Sequence, residues 1–147
     1  MSGSIWQNIH VWSAVAGWLV AQTIKMMTTL VQTKRLDFRY LMSTGGMPSA
    51  HSAFGCALAT STGVSMGFDS AVFAVALAFA CVVMFDAQSV RLAAGKQASI
   101  LNQIIDELFK EHHLSEHKLA ELLGHTRLEV FFGLLTGVIV ALLVRSF

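Results

Sequence analysis

Gly45-Gly46-Met47-Pro48-Ser49-Ala50-His51-Ser52 stands at the head of a long uncharged segment and holds the only proline of the chain. Two adjacent glycines let the backbone turn at no steric cost. Pro48 suits the first turn of a helix, where its missing N–H loses nothing. Ser49, His51 and Ser52 then fall within that first turn, where free backbone N–H groups and the positive end of the helix dipole favour an anion such as phosphate. The same residues also make an ordinary turn and helix cap. What separates the two readings is where the other polar residues of the chain fall.

Polar residues are scarce. Of 147 residues, 54% are hydrophobic and 13% charged, with a mean hydropathy of +0.61, whereas soluble domains carry about 25% charged residues. The chain therefore reads as a single integral membrane domain, residues 1–147. Its net charge of +1 gives no reason to expect a nucleic acid partner. Cys56 and Cys81 both lie in apolar segments and read as small buried hydrophobes, not as a disulfide or a metal pair. The N-terminus lacks a basic region and a small-residue cleavage site, so it reads as a retained span and not a signal peptide.

Four apolar spans are expected, at about 5–25, 49–66, 71–92 and 127–145. The first carries Trp6, Trp12 and Trp18, with Lys25 at its end, where snorkelling to the headgroups is the default. In the second, Gly55, Ala59, Gly63 and Gly67 recur every four residues. Such a ridge of small residues lets helices approach closely and places this span at the bundle centre. Asp69 or Ser70 caps the third span, and Gly95 is expected to end it. Residues 96–123 form an amphipathic segment outside the bilayer or along its surface. Ile100, Leu101, Ile104, Ile105, Leu108 and Phe109 lie on one helical face, with Gln97, Asn102, Gln103, Asp106, Glu107 and Lys110 on the other. His112, His113 and His117 read as a solvated face without metal-site spacing. In the last span Gly133 and Gly137 give a GxxxG face for packing or for a homodimer.

Lysine and arginine cluster in the 34–39 loop and between Arg91 and Arg127. With four spans, both basic regions lie on one side, which the positive-inside rule makes cytoplasmic, and both termini lie on the other. Four distant segments then deliver polar groups to one membrane face: Lys25, Arg35 and Arg39; Gly45–Ser52; Asp86 and Arg91; His125 and Glu129. Such groups suit phosphoryl transfer. Lys and Arg hold non-bridging oxygens, one histidine attacks phosphorus, and a second serves as acid and base. A carboxylate fixes the nucleophile's tautomer. No cofactor or metal enters this scheme.

Pro48-Ser49-Ala50-His51 resembles the Pro-Ser-Gly-His motif of the type-2 phosphatidic acid phosphatase and vanadium haloperoxidase superfamily, and Gly124-His125-Thr126-Arg127-Leu128-Glu129 resembles its His-x-x-x-Asp motif. Together with Phe85 to Ala98, these stretches look like a divergent bacterial and plant branch of that superfamily. The resemblance implies His125 as nucleophile, Glu129 as its carboxylate, His51 as general acid, Ser49 as a phosphate contact and Lys25 as the first-motif lysine. The chain departs from the pattern at Gln32, Ala50, Leu119 and Glu129. Arg39 or Arg35 would replace the first motif's arginine, and Arg91 the third's. Asp86 is an accessory candidate, as an acidic residue in an apolar span. Glu129 also completes a capping box with Thr126, which alone accounts for it.

The expectation is an all-α membrane bundle, located in the bacterial inner membrane with its site at the cytoplasmic face. Its activity would be metal-independent hydrolysis of a lipid phosphate or diphosphate through a phosphohistidine. The alternative is a non-catalytic protein that binds or translocates anionic lipid headgroups.

Overall fold

A computed structural model describes residues 4–34, 46–108 and 125–146. The regular elements are a 3-10 turn at Ile5–Gln7, α1 (Ile9–Thr33), α2 (Ala50–Met66), α3 (Ala71–Phe85), a π-helical turn at Asp86–Val90, α4 (Arg91–Leu108) and α5 (Arg127–Arg145). The protein is an integral membrane helical bundle. Among the described residues Ile9–Val31, Ala71–Asp106 and Arg127–Arg145 are long and apolar enough to cross a bilayer. The remaining expected span, the second, is α2, which has 17 residues and is the helix the others pack around.

Side-chain caps mark the helix starts. Asn8 accepts from the N–H groups of His10 and Val11, so α1 begins after the first tryptophan and not at Ile5. Ser49 caps α2, which leaves Pro48 just outside the helix instead of in its first turn. Ser70 caps α3 by accepting from the Phe73 N–H. Thr126 caps α5. The expected stop at Gly95 does not occur: Gly95 lies inside α4, which follows α3 directly through the π turn. One interior glycine costs only about 1 kcal/mol, and the chain there makes no turn that would need it. Up to Leu108, the expected surface segment is thus helical and follows the third span without a break. Within it Asn102 is buried, while Ile100, Leu101 and Ile104 are exposed. Residues 109–124, with His112, His113 and His117, lie outside the described residues.

The central place of α2 follows from its side chains. Gly55 faces the backbone of Ala80 on α3, and a Cβ there would lie 3.2 Å from the Ala80 Cα. Cys56 and Ala59 pack with Ala76 and Ala80. On the opposite face, a Cβ on Gly17 of α1 would stand 2.9 Å from the Ala57 Cβ. Between helices in lipid, close backbone approach supplies the attraction that hydrophobic burial supplies in water.

The same principle corrects the expected dimer surface. Gly133 and Gly137 are buried. A Cβ on Gly133 would collide with the Ser49 carbonyl, and one on Gly137 with the Ala53 carbonyl. The GxxxG face of α5 is therefore the seam with α2 inside one chain, not a surface left for a second copy. A second correction concerns Cys81, which is exposed; only Cys56 is buried, and both thiols are free.

Candidate phosphate-handling site

The site is built from the start of α5. Thr126 Oγ1 accepts from the Glu129 N–H at 3.3 Å, and Glu129 Oε2 accepts from the Thr126 N–H at 3.0 Å. This reciprocal box pins the carboxylate over the first helical turn. His125, one residue before the cap, places Nδ1 2.9 Å from the same Oε2. Glu129 thus both caps the helix and hydrogen-bonds the imidazole. An ionised carboxylate can only accept, so Nδ1 carries the proton and the neutral ring keeps its lone pair on Nε2. His125 is 3% exposed, and in such low-dielectric surroundings a charged hydrogen bond is strengthened.

Two backbone hydrogen bonds bring the other helices to this point. The Ser49 N–H donates to the Glu129 carbonyl at 2.9 Å, and the His125 N–H donates to the Ala87 carbonyl at 3.0 Å. The first ties the start of α2 to that of α5. The second ties the π turn to the histidine, and π turns recur at functional positions in helices. Ala87 and Gly46 are the contributors that sequence reading missed. A backbone carbonyl leaves no side-chain signal, but Gly46 belonged to the glycine pair already singled out.

Lys25 does not snorkel. Helix α1 runs eight residues beyond it to Thr33, and the lysine is 4% exposed. Its stem lies along Gly46: a Cβ there would come within 3.1 Å of Lys25 Cε. Gly46 has φ +96°, a conformation that side chains other than glycine's adopt only under strain. The Lys25 ammonium acts electrostatically on the Glu129 carboxylate. Lys25 of α1 thus lies against Gly46 ahead of α2, and the carboxylate–imidazole pair stands at the start of α5, tied by backbone hydrogen bonds to α2 and the π turn.

The remaining candidates are placed as follows. Ser49 is wholly buried. Its hydroxyl oxygen accepts from the N–H and the hydroxyl of Ser52, so here it serves as a cap and anchor. His51 is exposed and lines an apolar groove with Val15, Trp18, Phe54, Phe79 and Val83. Two residues on from Ser49, it is turned about 200° around the helix axis, away from the seam with α5. Asp86 opens the π turn, half-buried. The backbone of Arg91 begins α4 directly after that turn, whereas its side chain, together with all of Arg35 and Arg39, lies outside the described residues. Among the described residues no three His, Cys, Asp or Glu side chains are grouped to hold a metal ion.

The histidine–carboxylate pair, with His125 buried and Glu129 half-buried, stands with the Pro-Ser-x-His turn in a membrane helical bundle. The chain belongs to the Divergent PAP2 family, which matches residues 6–140. It is similar to the uncharacterized membrane protein YuiD of Bacillus subtilis (strain 168), with 38% identity over 151 positions that cover 95% of this chain and 96% of that one. No solved structure matches it.

Proposed function

We propose that the protein is a membrane-embedded phosphatase that hydrolyses a lipid phosphate or diphosphate through a phosphohistidine on His125. The observation that carries this reading is the 2.9 Å contact between His125 Nδ1 and Glu129 Oε2. It leaves Nε2 as a nucleophile and provides a fixed anion to stabilise the imidazolium.

In the first step Nε2 bonds to phosphorus as the ester P–O bond breaks, and the leaving oxygen takes a proton from a general acid, the role the family motif assigns to His51. In the second, water attacks phosphorus and gives a proton to the group that acted as acid in the first step, the P–N bond breaks to return the lone pair to Nε2, and inorganic phosphate leaves. Lys25, with Arg39 and Arg91, neutralises the non-bridging oxygens, on which charge concentrates during transfer. Ser49 holds the start of α2 in place for this. The basic loops put the site at the cytoplasmic face of the bacterial inner membrane, with both termini on the other side.

The second reading, a headgroup-binding or lipid-translocating protein without turnover, is favoured by one observation: His51 lines the apolar groove, away from the α2–α5 seam that His125 adjoins. Incubating the purified protein with radiolabelled phosphatidate or polyprenyl diphosphate decides between them. Release of labelled phosphate by wild type but not by His125→Ala, with an acid-labile, base-stable phosphoprotein on rapid quench, supports the enzyme. Stoichiometric binding without release supports the binder.

A further inference from the structure

His125 stands ahead of its helix, not in it. Thr126 is the cap of α5 and Arg127 its first residue, so no helical ladder fixes the backbone of His125. Spacing along the chain therefore does not by itself bring the imidazole to Glu129. Among the described residues, the bond that holds the His125 main chain comes from a distant element: its N–H donates to the Ala87 carbonyl at 3.0 Å.

Ala87 lies in the π turn at Asp86–Val90. Inside an α-helix each carbonyl is taken by the N–H four residues on. A π turn holds one residue more, and its bonds reach to the fifth. The local sequence favours this break. Ser89 Oγ donates to the Phe85 carbonyl at 2.6 Å, the acceptor that the Ser89 N–H would use in an α-helix. Asp86, at the start of the turn, shares its N–H between the Val82 and Val83 carbonyls. Ala87 is 2% exposed, so water does not compete for the bond its carbonyl accepts.

We propose that the extra residue of this turn is a positioning device for His125. It presents the Ala87 carbonyl to the His125 N–H, and only when so seated does the imidazole meet the Glu129 carboxylate at 2.9 Å. The value of that arrangement as a nucleophile rests on the function proposed above; the seat itself does not depend on catalysis.

The device works through the number of residues and not through their side chains. Helices α3 and α4 run directly into the turn from either side, so removal of one residue lets the ladder close in the α register. The same removal rotates α4, beginning with the Arg91 backbone, by about 100° around the helix axis.

The test deletes Val90, whose side chain is exposed, with Val90→Ala as the control that keeps the residue count. Because the deletion also rotates α4, turnover alone does not isolate the histidine. The deciding readout is the tautomer of the His125 ring, taken from NMR of the ring nitrogens in histidine-labelled protein at alkaline pH and assigned by its absence from His125→Ala. Wild type and Val90→Ala are expected to carry the proton on Nδ1. The deletion should shift it to Nε2, the form that free histidine prefers, and phosphate release should fall at least about 100-fold. Hydrogen exchange needs no variant: the wild-type His125 N–H should be protected together with the interior amides of α5. A deletion that folds and keeps the Nδ1–H ring overturns the proposal. So does a wild-type His125 N–H that exchanges as fast as an open loop, and this result decides the matter if the deletion does not fold. A wild type with the protected N–H and the Nδ1–H ring, both lost or shifted in the deletion, that never releases phosphate ends the enzymatic reading and leaves the seat intact.

Discussion

Glu129 Oε2 sits 2.9 Å from His125 Nδ1 and 3.0 Å from the Thr126 backbone nitrogen, so one carboxylate oxygen both starts helix α5 and sets the tautomer of the histidine beside it. The two duties separate by substitution. Glu129→Gln keeps an oxygen for the Thr126 N–H but loses the charge that stabilises an imidazolium. Its melting temperature should stay near that of wild type while turnover falls at least about 100-fold. Glu129→Ala should lose the same activity and, in addition, about 1 kcal/mol of stability through the missing cap. Thermal melts beside phosphate-release rates check the pair; a Glu129→Gln enzyme of normal rate would reduce Glu129 to a cap.

Gly46→Ala meets two obstacles at once, a φ of +96° and the Lys25 side chain. The backbone term alone should cost about 1–2 kcal/mol, and the added methyl should push Lys25 off its position. Inorganic phosphate affinity, measured by calorimetry, is expected to fall in Gly46→Ala to the level of Lys25→Met. That second variant removes the ammonium but keeps most of the stem, so it should remain folded. Unchanged phosphate binding in Lys25→Met would exclude the lysine from the site.

The α2–α5 seam makes Gly133→Leu and Gly137→Leu folding defects. Either side chain must drive the helices apart, at a cost of at least about 3 kcal/mol, whereas Ile139→Ala on the exposed face of α5 should melt like wild type. Yield of monodisperse protein after detergent extraction, together with melting temperature, distinguishes this from a dimer surface. A stable Gly137→Leu protein that has only halved its mass would restore the dimer.

Vanadate readily takes the trigonal-bipyramidal geometry of phosphoryl transfer, and a catalytic pocket binds such an analogue more tightly than phosphate itself. Wild type should therefore prefer vanadate, EDTA should leave the preference unchanged, and His125→Ala should abolish it. Arg91→Ala should weaken both anions alike. Titration calorimetry of both anions into the wild type and the two variants reads this out. Equal affinities with an indifferent His125 would sink the phosphohistidine mechanism and leave the headgroup-binding one.

Much of the bundle was legible in the chain. The small residues of α2 foretold its central place, because close helix approach in lipid depends on Gly, Ala and Ser and not on bulk. Ser70 and Thr126 announced their helices, since a capping hydroxyl acts within three residues of itself. The pairing of His125 with Glu129 was expected from the resemblance to a His-x-x-x-Asp motif, and the capping box that draws the Glu129 carboxylate back to the Thr126 N–H puts it beside the histidine.

What required the tertiary structure lies between helices. The sequence alone determines an all-helical membrane bundle and the capping box that starts α5, because apolar length and caps are local properties. It leaves open whether Lys25 reaches water or the site, whether Gly133 and Gly137 face a second copy or α2, and which way His51 points from its helix. Each is a question of which surface meets which. Lys25 is held inward by the bare backbone at Gly46, Gly133 and Gly137 by the Ser49 and Ala53 carbonyls they approach, and His51 by the turn of α2 that sends Ser49 toward α5. Packing between segments far apart in the chain decides all three.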